Sequence, residues 1–334
     1  MTGLASSCFP TRDAASGVGF PPGSARRAQE RLQRRERFAG RTIRATAHVW
    51  IRRTAGHEEE PAARGTRGQA DVILEMLRET STRATFFTVG MMAEQFPDLI
   101  RRIAGEGHEI ACHGYHHLIV YRLTPEEFRA DTARAKNTLE DITGQAVVGY
   151  RAAEFSIRSS ALWALEVLAE LGFEYDSSIF PIRHRRYGIP GFERRPQHYQ
   201  TQAGRGIVEL PPSSLEFRGT RVPIAGGGYF RLLPQAALLS AVGRLNREGL
   251  PLVTYFHPYE FDDERLTVSR TLKPSGAQKR LRARLFDFHQ NLRRTTMRSK
   301  VRALLRQFEF LTCREYIHAA GLVASRRLFS AHGS

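Results

Sequence analysis

Residues 111–117 read ACHGYHH, which places one cysteine and three histidines within a few consecutive positions of a 334-residue chain. Imidazole and thiolate are the side chains that hold zinc and related divalent ions, so the stretch could be a metal site. Farther along stand Arg151 in GYRAAEF, Asp176 in EYDSSI and His257 in YFHPYEF. These are three more groups able to hold charge or move a proton. Histidine, with an ordinary pKa of about 6.5, suits proton transfer at neutral pH.

Each of these residues sits near the C-terminal end of a different predicted strand: HEIACHG, AVVGYRA, FEYDSSI and LPLVTYFHPYE, with ATFFTVG as a further strand before them. Helical patterns alternate with the strands, in DVILEMLRET, AEQFPDLIRRIAGEG, SSALWALEVLAELG and PQAALLSAVGRLNREG. The helix with the clearest ends has Thr124 as N-cap, Pro125 in the first turn, Glu127 completing a capping box and Gly144 just past the end. Phe128, Ala135, Leu139 and Ile142 make its buried stripe. Such alternation predicts a parallel sheet or a (β/α) barrel, in which active residues gather at the C-terminal ends of the strands. Four reactive side chains from four strands would then converge.

The chain is long enough to bury a full core without disulfides. Cys8, Cys112 and Cys313 are few and far apart and read as free thiols of a reducing compartment. No run of 18 apolar residues occurs, and the first residues lack a basic and then apolar leader, so the reading is a soluble, cytoplasmic protein without a membrane span. The formal charge is +16, made up of +7 over residues 1–70, −2 over 71–270 and +11 over 271–334. Only the ends are basic, which weakens a nucleic-acid reading. Residues 1–70 are rich in Arg, Ala and Gly and lack sustained periodicity apart from TIRATAHVWI, which predicts disorder or poor packing. The glycines of AGGGYF carry no following lysine, so Gly226–Gly228 read as a loop for close sugar or backbone approach rather than a phosphate loop.

Taken in order, TRATFFTVG, EGHEIACHGYHH, GYRAAEFSI, YDSSIFP and YFHPYEF resemble the successive motifs of the polysaccharide deacetylase family, the chitooligosaccharide-deacetylase homology domain of carbohydrate esterases. The resemblance runs from about residue 70 to 265. GGGYFRLLP and the basic tail are similar to a subgroup linked to exopolysaccharide and exosortase gene clusters. The resemblance implies a distorted (β/α) barrel over 69–265, preceded by a non-family segment at 1–68, disordered or mis-framed, and followed by a basic helical extension at 266–334. It implies hydrolysis of an acetyl group from an N-acetylhexosamine polysaccharide or oligosaccharide, with a divalent metal such as zinc held by one aspartate and two histidines.

By position His113 and His117 match the two histidine ligands, and His257 matches the general acid toward the departing amine. Asp176 would orient His257, and Arg151 would position the catalytic carboxylate. The backbone N–H near Glu154 would serve an oxyanion, and Tyr259 falls on the substrate side. Cys112 should point to the face opposite His113, into packing, and His116 reads as a polar non-ligand. Ala153 and Glu154 depart from the family's proline-containing pattern.

The family's first motif is an Asp-rich strand end about forty residues before ATFF, supplying the base and the third ligand. The corresponding region here, RTIRATAHVWIRRTAGHEEEPAARG, holds no aspartate; Asp13 is far too early and Asp71 reads as a helix start. Three readings account for this: a wrong frame over about 1–68, a decayed paralogue that still binds glycan, or a substitute acid such as Glu58 or Glu154. The tail QKRLRARLFDFHQNLRRTTMRSKVRALLRQF reads as amphipathic helix packed on the barrel with solvated arginines, with nucleic acid as the lesser alternative.

Overall fold

The computed structural model describes the backbone of residues 44–51 and 59–66 and, with side chains, residues 67–201, 204–224, 226–261 and 276–322. Its strands are β1 (Arg44–Ile51), β2 (Thr85–Thr88), β3 (Glu109–Cys112), β4 (Gly149–Tyr150), β5 (Tyr175–Asp176), β6 (Gln197–Gln200), β7 (Gly206–Glu209), β8 (Ser214–Phe217), β9 (Thr220–Pro223), β10 (Leu252–Phe256) and β11 (Glu309–Leu311). The helices are α1 (Glu59–Glu79), α2 (Gly90–Gln95), α3 (Pro97–Gly105), α4 (Pro125–Thr143), α5 (Trp163–Glu170), α6 (Gly227–Leu232), α7 (Gln235–Arg247), α8 (Ala277–Asn291), α9 (Met297–Gln307) and α10 (Cys313–Ala319).

One sheet runs in the order β10-β1-β2-β3-β4-β5-β7-β6, with β11 also paired to β1. Every pairing from β10 to β7 is parallel, and only β6 returns antiparallel on β7. Just past β7, the Ser213 N–H donates to the Val253 carbonyl at 3.1 Å, and the Val253 N–H donates to Ser213 Oγ at 2.8 Å. The two ends of the parallel run are thus joined by hydrogen bonds rather than by a full ladder, which is a distorted (β/α) barrel. Gly226 bridges Tyr255 there, and a Cβ on it would lie 1.9 Å from the Tyr255 carbonyl. Close backbone approach therefore requires glycine at that position.

Strand β1 lies inside the segment that composition sets apart, yet it is seated between β10 and β2, with Ala45 opposite Leu252 and His48 opposite Thr85. Helix α1 runs across residue 68. Asp71 therefore stands in mid-helix, ion-paired with Arg102 at 2.5 Å, and does not open the helix as its sequence context suggested. The helix expected over AEQFPDLIRRIAGEG is two helices, because Pro97 has no N–H to continue the ladder and restricts Phe96 before it.

Helix α4 carries the predicted ends: Thr124 Oγ1 accepts the Glu127 N–H, Glu127 accepts the Thr124 N–H, and Gly144 adopts φ 65°. Phe128, Ala135 and Leu139 are buried against the sheet, together with Ile73, Leu74, Phe86 and Ile100. In the tail, α9 packs as expected, burying Met297, Val301, Leu304 and Leu305. Helix α8 does not: none of its residues is buried.

Candidate functional site

The C-terminal ends of β3, β4, β5 and β10 deliver the candidate residues. At β3, Cys112 is fully buried in the core, and burial pushes its thiol up to about 12. Alternation along the strand turns His113 to the other side. His113 is also buried, and its Nδ1 donates to the Arg151 carbonyl at 2.5 Å, which places the lone pair on Nε2.

Gly114 then reverses the chain at φ 72°. The loop is clamped by Asp131 of α4, which accepts the N–H of Tyr115 at 2.7 Å and of His116 at 3.1 Å. The His116 ring joins that clamp through Nδ1, 2.7 Å from the same carboxylate. His117, held at φ 59°, brings its ring to 4.9 Å from His113, edge to face. Of the four residues in the cluster, His113 and His117 face each other, while Cys112 belongs to the core and His116 to the clamp. Burial holds the His113 imidazole well below its ordinary range, with His117, Arg151 and His257 adding to the effect. A neutral imidazole is the metal-binding form.

Arg151 is fully buried, lying over the rings of Phe87 at 4.5 Å and Phe155 at 5.4 Å. Its Nε donates to the Ser177 carbonyl at 2.8 Å and its Nη2 to Ser177 Oγ at 2.5 Å. Burial lowers its guanidinium to about 10, while the negative charge of Asp176 opposes the shift. Asp176 stands in register with Glu209 across β5 and β7, and both are fully buried. Asp176 accepts from Ser178 Oγ at 2.5 Å and from the Ser178 N–H at 3.2 Å, and Glu209 accepts the Ile179 N–H at 2.9 Å. Burial raises both carboxyls, and the charge of Asp176 drives Glu209 well above the carboxylate range. Two buried carboxyls so close resist being charged together, and one proton shared by the pair would balance the Arg151 cation.

His257 follows β10. Its N–H donates to Glu260 Oε2 at 3.0 Å, and its Nδ1 lies 3.4 Å from the same oxygen. Glu260 is buried, and its other oxygen is 3.6 Å from Nε of buried Arg231. A carboxylate facing the His257 imidazole is that of Glu260, while Asp176 accepts from Ser178 and shares a side-chain hydrogen bond with Glu209. Tyr259 stacks on His257 at 5.2 Å. Glu154 and Phe155 both take positive φ, 52° and 54°, and Glu154 pairs with Arg186 at 3.4 Å.

Sequence reasoning missed Glu209, Glu260 and Arg231. HPYE held a signal for the second, since three-residue spacing in a tight turn returns a carboxylate to the histidine.

The donor set tests the implied metal. Among the described residues, no group of three or more His, Cys, Asp or Glu is arranged to hold a metal ion. His113 and His117 supply two imidazoles, whereas catalytic zinc takes three protein ligands. Strand β1 is followed in the sequence by Arg52, Arg53, Thr54, Ala55 and Gly56, without a carboxylate. His57 and Glu58 lie outside the described residues. The described residues alone do not complete a metal centre.

Comparison with known proteins finds the polysaccharide deacetylase model over residues 64–175 and a domain of unknown function, DUF3473, over 177–318. The chain is 35% identical over 95 residues to the peptidoglycan-N-acetylglucosamine deacetylase of Bacillus cereus, covering 28% of this chain and 34% of that one. It is 32% identical over 97 residues to the chitooligosaccharide deacetylase of Bradyrhizobium sp., covering 29% and 42%. The matched parts thus span well under half of these relatives. Among solved structures, a "probable polysaccharide deacetylase" from Pseudomonas aeruginosa PAO1 aligns with TM-score 0.55 at 16% identity, over 84% of this chain and 90% of that one. Puue allantoinase aligns with TM-score 0.55 at 16% identity, over 84% and 92%. At such identity the likeness is one of fold.

Proposed function

We propose, for a chain whose residues 64–175 form a polysaccharide deacetylase domain, a role on glycans that carry N-acetylhexosamine: hydrolysis of the acetyl carbon–nitrogen bond, impaired by the missing carboxylate. The observation that carries this reading is the convergence of His113, His117, Arg151 and His257 at the C-terminal ends of β3, β4 and β10. His113 and His117 would contribute two imidazoles toward a divalent ion such as zinc, which in deacetylases activates water. Among the described residues no third His, Cys, Asp or Glu completes that set.

The chain's own groups can do three things. His257 can give a proton to a departing amine. The turn at Ala153–Phe155 presents backbone toward an oxyanion, and Tyr259 flanks the substrate side. Arg151 places the His113 ring through its carbonyl. A catalytic base is what this group lacks, and a base contributes about 10²–10⁴-fold.

The test is purified chain with N-acetylglucosamine oligomers and added zinc, scored by released acetate. The expected rate is about 10²–10⁴-fold below that of a deacetylase with a complete site. A rate equal to it would overturn the impairment. The incomplete donor set favours one second reading, glycan binding without turnover. Calorimetry with the same oligomers checks it, and absence of binding would exclude it.

A further inference from the structure

Helix α8 (Ala277–Asn291) has its amphipathic character reversed relative to a helix that packs on a core. At helical spacing Leu281, Leu285 and Phe288 fall at i, i+4 and i+7 on one stripe. They are 58%, 58% and 64% exposed. The half-buried residues are Ala283, Asp287, Gln290 and Asn291, the first three on the far side. Gln290 also makes the attachment: its carbonyl accepts from Arg231, and its side-chain oxygen lies 3.3 Å from Arg231 Nη2 and 3.4 Å from Tyr259 Oη. The helix thus rests on its small and polar side and turns its apolar stripe to solvent.

Charge decides what could cover that stripe. Lys279, Arg280, Arg282 and Arg284 are all exposed, and the single acid of the helix, Asp287, is on the inner side. On a helical projection Arg284 borders one edge of the stripe and Arg282 the other. An apolar strip framed by cations fits a surface that is apolar within and anionic at its face.

We propose that α8 docks on a membrane surface of anionic lipid, with Leu281, Leu285 and Phe288 entering the boundary between headgroups and acyl chains and Arg282 and Arg284, on the two edges of the stripe, meeting lipid phosphates. A second copy of the chain fits less well, because the stripe laid against itself brings the arginines of both copies together. Nucleic acid would use the cations and leave the stripe in water. No helix among the described residues is long and apolar enough to cross a membrane, so the helix lies along the surface. Through Gln290 and Tyr259 that surface is presented beside the His257 loop.

The experiment is flotation of the full chain with vesicles of phosphatidylglycerol and phosphatidylcholine in equal parts, against phosphatidylcholine alone. Binding to the anionic vesicles only, weakened by added salt, is expected. The triple variant L281S/L285S/F288S and the double variant R282E/R284E should each lower the bound fraction by at least about fivefold. Both alter exposed residues, so the folded circular dichroism spectrum and melting temperature should match the parent chain. Absence of flotation, or full binding by the serine variant, would overturn the proposal. So would a parent chain that sedimentation shows to be a dimer and the serine variant to be a monomer. Vesicle binding involves no turnover, so its failure is separate from failure of the hydrolytic reading.

Discussion

Glu260 Oε2 lies 3.4 Å from Nδ1 of His257 and accepts the same residue's backbone N–H at 3.0 Å, so one carboxylate holds the turn and faces the ring it carries. Its other oxygen faces Arg231 Nε at 3.6 Å, with both side chains almost fully buried. Removing one member of a buried pair leaves an uncompensated charge, whereas removing both need not. Glu260→Ala should therefore cost about 3–5 kcal/mol in urea unfolding. The double variant Arg231→Met/Glu260→Leu should recover most of that loss. Equal losses in the single and double variants would show that the pair does not act as a unit.

The facing rings of His113 and His117 make a prediction about the cysteine and histidine cluster. Zinc binding by calorimetry should be weak, and His113→Ala or His117→Ala should weaken it further by at least about tenfold, since each removes one of two donors. Cys112→Ser and His116→Gln should leave it unchanged, because those side chains sit in the core and on Asp131. Loss of zinc binding in His116→Gln would place that imidazole at the metal.

What sequence could reveal here was what local chemistry determines. The ends of α4 followed from Thr124, Glu127 and Gly144, because capping is decided within one turn. His113 and Cys112 were separable because adjacent strand residues face opposite ways. The partner of Asp176 was not legible: Glu209 meets it through the register of β5 on β7, two strands 33 residues apart, and no local pattern fixes such a register. The α8 stripe was visible as a stripe, but periodicity says which residues share a face and not which way that face turns. Strand β1 showed in the sequence as the one periodic stretch, TIRATAHVWI, but the arginine-rich composition around it argued for poor packing.

The two ends of α4 offer a direct stability measurement. Thr124→Ala removes the acceptor for the Glu127 N–H and should cost about 1 kcal/mol. Gly144→Ala forces a side chain into φ 65° and should also cost about 1 kcal/mol. The sites are a helix length apart, about 28 Å, so the double variant should lose close to the sum. A double variant no worse than either single variant would mean that the helix end already frays.

His108, at the opposite end of β3 from His113, sets a pH dependence with a definite sign. The ring is buried beside Phe86, and its Nδ1 accepts the Ala84 N–H at 3.3 Å, so the neutral form is the one held. Burial lowers its pKa from 6.5 to about 4, with Arg78 and Arg83 contributing and Glu106 opposing. Because the folded value lies below the unfolded one, the unfolded chain takes up the proton first as the medium is acidified. The contribution is fully present above pH 6.5 and is lost as pH falls from there through about 4. Over that window the loss amounts to about 3 kcal/mol. Urea midpoints measured at steps between these values should fall steadily in the parent chain. His108→Gln, which cannot titrate, should remove the part of that slope belonging to one proton, and an unchanged slope would assign the acid sensitivity to other groups.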